Sequence, residues 1–228
     1  MRIHRRSVFA RELERIVALE TPLSNFDAGN ILAESLLFQS GYLTVDSVHY
    51  IPCFTQSVLR YPNLEIQTAL NRAFLSALTG ETVKYSLHAN QLYELLMTDD
   101  FAGLRALLQS FYASIPHRWY TGNAIAQYEG FYVSVFYSYF AALGLDIRTE
   151  ESTDHGCIDM AVVFGGQVYL FEFKVVEKTP EGKAIQHQQL RDMGYAGKYR
   201  TLGCPIHLVG IEFSKTEHNI MGFEVETI

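Results

Sequence analysis

The sequence predicts an α/β sandwich, a mixed sheet covered by helices, preceded by a mostly helical region. Three observations carry this expectation. From about residue 123 the pattern runs helix, three strands, helix, two strands, which is the element order of a sheet with helical layers. The helix that opens this run, AIAQYEGFYVSVFYSYFAAL at 124–143, is apolar around nearly its whole circumference and so must be buried. The residues before it read mainly as short helices. With 228 residues, 48% of them hydrophobic, the chain can bury a full core, and 19% charged residues without a long single-sign run argue against disorder.

Taken in order, residues 8–19 carry Val8, Leu13, Ile16 and Val17 at helical spacing and predict a short amphipathic helix. A second helix runs from a Ser24 or Asn25 cap to about Gln39, with Gly41 ending it. The stretch GYLTVDSVHYIPCF is rich in β-branched and aromatic residues and predicts one or two strands. Tyr61-Pro62-Asn63 marks a turn, after which Leu64 to Leu78 is helical and stops at Gly80. Two more helices follow, one near 87–97 and one from Asp99 or Asp100 to about Ile115, ended by Pro116. Beyond the 124–143 helix, strands are expected at 145–151, 158–164, 168–175, 205–213 and 219–226, interrupted by a helix over about 181–200. The expected division is 1–80 and 81–228, with the core of the second part at about 123–228.

Composition limits the function classes. Three scattered cysteines, Cys53, Cys157 and Cys204, form no CxxC pair, so neither a disulfide framework nor a zinc knuckle is indicated, and a reducing, cytoplasmic setting is expected. Arg11, Glu12, Glu14 and Arg15 interrupt the N-terminal apolar residues, which excludes a signal peptide or membrane span there. A formal net charge of −7 is awkward for a nucleic-acid binder. A bound divalent metal would offset it where carboxylates gather.

The chemistry concentrates in GCIDMAVVFGGQVYLFEFKV, residues 156–175. Gly165-Gly166 joins two apolar strands as a hairpin, and antiparallel pairing brings Asp159 beside the segment Glu172–Lys174. Alternation sends Glu172 and Lys174 to one face and Phe173 to the other. Two carboxylates and an ammonium thus converge among apolar residues, where unpaired charge is costly. Carboxylate oxygens suit Mg²⁺ or Mn²⁺, and the ammonium suits a developing negative charge. A structural ion pair is the competing explanation for an ExK in a strand. Glu129 is the single charge on the buried helix, where it either joins this centre or interacts with the helix dipole.

GCID followed on the next strand by EFK resembles the motifs of the PD-(D/E)XK nuclease superfamily, whose fold is restriction-endonuclease-like. More narrowly, SLLFQSGYLTV at 35–45, YPNLEIQTAL at 61–70, YEGFYVSVFYSYFAALG at 128–144 and QLRDMGYAGKY at 189–199 resemble the family in which an AAA-ATPase-like domain precedes the nuclease domain. The resemblance implies Asp159 and Glu172 as metal ligands, Lys174 as catalytic lysine and Glu129 as accessory carboxylate. It also implies Gln189 and Tyr195 as substrate-contacting residues of the following helix. The implied activity is metal-dependent hydrolysis of nucleic acid, DNA in the leading reading. The alternatives are an RNA-directed nuclease and a catalytically silent binding or assembly module. An ATPase domain or subunit is the implied partner, and residues 1–80 read as a mostly helical remnant of such a region. No GxxxxGK[ST] occurs in the chain, so no ATP hydrolysis is expected from it alone.

Overall fold

The structure, a computed structural model, describes residues 16–19, 32–80, 82–120, 129–153, 156–176 and 196–228. Its centre is a five-stranded mixed sheet made of β4 (Asp146–Thr153), β5 (Gly156–Phe164), β6 (Gln167–Val176), β7 (Ile206–Ser214) and β8 (Ile220–Thr227), in that spatial order. Only the β6–β7 pair is parallel; its neighbours pair antiparallel. Helices flank this sheet, as expected for a restriction-endonuclease-like fold, and the five strands lie close to their expected positions.

Each face has its own apolar layer because strand residues alternate. Met160, Val162, Tyr169, Phe171, Phe173, Val209, Ile211 and Phe213 pack against the helices α3 (Thr82–Met97), α4 (Phe101–Ala113) and α5 (Glu129–Ala141). On the other face Ile158, Ala161, Val168, Leu170, Ile206 and Leu208 meet Ala196 and Tyr199 of the short helix α6 (Ala196–Tyr199). In α5, residues 131–141 are all buried, which its continuous apolar sequence requires. The rest of the expected 181–200 helix lies outside the described residues, as do Gln189 and Tyr195.

Local signals set the ends of the helices. Asn63 accepts the Ile66 N–H at 2.9 Å and opens α2 (Leu64–Thr79), which Gly80 closes at φ +77. Asp100 accepts the Gly103 N–H at 2.9 Å and opens α4. From α2, Gln67 donates to the Tyr137 hydroxyl and Arg72 to the Ala142 carbonyl, which docks the front part on α5.

The front part holds more strand than expected. Residues 16–19, read from the sequence as the end of an amphipathic helix, form β1 (Ile16–Leu19). It pairs antiparallel with β3 (Phe54–Arg60), whose other neighbour is β2 (Thr44–Ile51). Ile16 and Val17 are β-branched, and an available sheet edge overrides a weak helical spacing. The helix expected at 24–39 is described only from Ala33 to Gln39, as α1. Among the described residues no helix is long and apolar enough to cross a membrane.

Candidate active site

Gly165 and Gly166 adopt φ +60 and +76, a left-handed pair that side chains resist, and they fold β5 back on β6. The ladder runs from Phe164–Gln167 to Met160–Phe171 and ends there. Asp159 is the first residue beyond it. Its Oδ2 accepts the Phe173 N–H at 2.8 Å, which fixes the carboxylate over the backbone between Glu172 and Lys174. Phe173 points the other way and packs edge-on against Phe136 of α5 at 4.9 Å. Its burial on the helical face therefore turns Glu172 and Lys174 to the opposite face, in line with Val168 and Leu170.

Glu172 is 8% exposed, and its acidity reflects its surroundings. Burial, then the Asp159 charge, then the Glu129 charge push its carboxyl up from 4.5 to about 8. Glu129 starts α5 and is exposed, yet it acts electrostatically on Glu172. The structure thus brings Asp159, Glu172 and Lys174 into one short stretch of two strands, with Glu129 within electrostatic reach. Lys174 is half-buried. In register beside Glu172 on β7 is Gly210, which has no side chain to fill the same face.

Among the described residues, no three His, Cys, Asp or Glu side chains stand close enough to form a ready-made metal cage. The donor set instead suits a cation that takes one or two carboxylates and keeps water and phosphate as its other ligands, as Mg²⁺ does. A carboxyl held neutral by burial and then by neighbouring negative charges is one that a divalent cation would ionise and neutralise, so the residues fit such an ion.

Two groups were not singled out from the sequence. Glu212 of β7 is 1% exposed and stands in register with Lys174 on the face of Glu172. Its carboxylate leans over Gly222, where a Cβ would come within 2.7 Å of Oε2. The one acid in the apolar run IHLVGIEF is the signal that marks it. The second group is a ring cluster of His117, Tyr120, Tyr132 and His218, whose members are too far apart in sequence to form a motif.

With this geometry in place, comparison with known proteins finds that residues 127–223 match the family described as "PD-(D/E)XK nuclease superfamily". The match spans α5, the Asp159 hairpin and β7, and thus all four carboxylates described above. The chain is also similar to a protein of Azotobacter chroococcum mcd 1 described as "Uncharacterized protein in vnfD 5'region". The two are 52% identical over 223 residues, covering 98% of this chain and 43% of that protein. The chain therefore spans less than half the length of that relative. No solved structure matches it.

Proposed function

We propose that this chain hydrolyses phosphodiester bonds of nucleic acid, DNA in the first instance, with Mg²⁺ or Mn²⁺ at Asp159 and Glu172. The observation that carries this reading is geometric: the Phe173 amide holds the Asp159 carboxylate over the backbone between Glu172 and Lys174, and Glu172 is itself a buried carboxyl. A protein core gains nothing from clustering like charges, and the perturbed acidity that results concentrates at functional sites.

In this reading each residue has a separate task. Asp159 and Glu172 hold the cation, and the Phe173 amide keeps Asp159 aimed at it. The cation, when bound, polarises a phosphoryl oxygen and makes a water more acidic. Lys174 places a positive charge beside the phosphate, where negative charge develops in the transition state, and orients the attacking water. Glu129 adds a carboxylate from the helical side and accepts a hydrogen bond from a water at the entrance. Gln189 and Tyr195 contact the substrate strand by the sequence resemblance, which also supplies the expectation of an ATPase-like partner region.

The test is incubation of the purified chain with plasmid DNA, linear DNA and RNA in Mg²⁺ or Mn²⁺, beside Asp159→Ala. Cleavage that requires the metal and vanishes with Asp159 is the expected result. A wild type that binds Mn²⁺ and cuts none of these polymers points instead to a silent binding module.

A further inference from the structure

We infer that the 3-10 turn His117–Trp119 and the β7–β8 turn, residues 215–218, together form a contact for one nucleic-acid strand: Arg118 and Lys215 meet phosphates, and Trp119 stacks on a base. This rests on the nuclease reading and extends it to a place where the substrate is held.

The two turns are built into one surface. The His117 and His218 rings lie 6.4 Å apart, and Tyr120 stacks on His218 at 4.1 Å with the planes 7° apart. The Tyr132 hydroxyl lies 3.3 Å from His218 Nδ1, and Tyr120 meets Phe131 edge-on at 5.8 Å. Phe131 and Tyr132 belong to the first turn of α5, directly after Glu129. On the other side, the Lys215 N–H donates to the Val176 carbonyl at 2.9 Å, at the end of the strand that carries Glu172 and Lys174. The surface is therefore joined to α5, which begins at Glu129, and to the end of β6, which carries Glu172.

Two independent features mark it as more than a loop. His218 is a non-glycine residue at φ +54, a strained conformation, held by its ring contacts and by Ser214 Oγ, which accepts the Thr216 and Glu217 N–H groups. Tyr120 is 9% exposed, and its hydroxyl has no hydrogen-bond partner among the described residues. The two turns together have the composition of a strand-binding edge. Trp119 is 36% exposed, and Arg118 and Lys215 are exposed, with Glu217 as the acid of the turn. A chain of net charge −7 needs local cations to hold a polyanion at a carboxylate centre, and basic groups beside an open aromatic face supply both attractions.

Trp119 is the only tryptophan of the chain, so its emission reports on this surface alone. The wild type in EDTA is titrated with oligothymidylate, oligouridylate and polyglutamate, while anisotropy follows labelled strands. We expect saturable quenching of Trp119 at the midpoint of strand binding. Arg118→Glu and Lys215→Glu should each weaken binding about tenfold, and loss of one phosphate contact should lower the slope of log affinity against log salt by about 1. Quenching by one polymer alone supports the inference and names the substrate class. Binding without quenching, unaltered by Arg118→Glu, overturns it, and so does equal quenching by polyglutamate. Parallel cleavage assays in Mn²⁺ separate the two readings: strands cut without any Trp119 response refute this contact alone. Strands neither bound nor cut refute the nuclease reading as well. The wild-type titration needs no variant to fold.

Discussion

Replacing Glu172 with Gln keeps the shape of the side chain and removes its ionisation. The wild-type carboxyl is raised from 4.5 to about 8, and at about 1.4 kcal/mol per factor of ten in acidity this corresponds to about 5 kcal/mol. The sign follows from proton counting. Between these values the folded chain binds the proton and the unfolded chain does not, so this contribution is complete below pH 4.5 and lost as pH rises through 8. Wild type should therefore lose several kcal/mol relative to Glu172→Gln between pH 5 and pH 9, with the variant the more stable at alkaline pH. Urea denaturation at stepped pH measures this, with the wild-type curve minus the variant curve isolating Glu172. Mn²⁺ should restore wild type at pH 9 and leave the variant unchanged. Calorimetry at pH 7 should show proton release on metal binding, because a carboxyl pushed up to about 8 is still mostly protonated there. Parallel pH profiles for the two proteins would refute the argument, since they would mean that Glu172 is ionised at little cost in the fold.

Lys174→Ala should slow cleavage about 10²–10³-fold while metal affinity holds or rises, because a cation is removed from beside a cation site; gel assays and metal titration read the two effects separately. Gly222→Ala sets a methyl group 2.7 Å from Glu212 Oε2 and 3.0 Å from its Cβ, and should destabilise the chain by about 1–3 kcal/mol in urea. His207 of β7 is buried between Thr227, Gln167 and Asp99, and burial lowers its pKa below 6.5 against the opposing pull of Asp99. Its folded pKa being depressed, its contribution is present above pH 6.5 and lost as pH falls. His207→Asn should thus be less stable at pH 7.5 but flatter than wild type below 6.5, as thermal melts would show.

The periodicities along the chain determine the five central strands and their hairpin, because each strand is bounded by turn residues and its apolar residues have a sheet face to fill. Gly165-Gly166 sets the fold-back of β5 on β6 locally, and alternation alone separates Phe173 from Glu172 and Lys174. Helix α5 is equally legible, since a segment apolar on all sides has no stable place outside a core. Tertiary structure decided what local patterns cannot encode. Residues 16–19 became a strand because β3 offered an edge, a partner 37 to 43 positions away in sequence. That Asp159 bonds the Phe173 amide depends on where the β5–β6 ladder stops, which is a matter of sheet geometry rather than spacing. Glu129 is read from sequence as the one charge on a buried helix, but its exposed position and its electrostatic hold on Glu172 depend on how α5 docks. The ring cluster of His117, Tyr120, Tyr132 and His218 gathers three segments remote in sequence. Contacts between distant segments leave no local period to read, so only the packed chain reveals them.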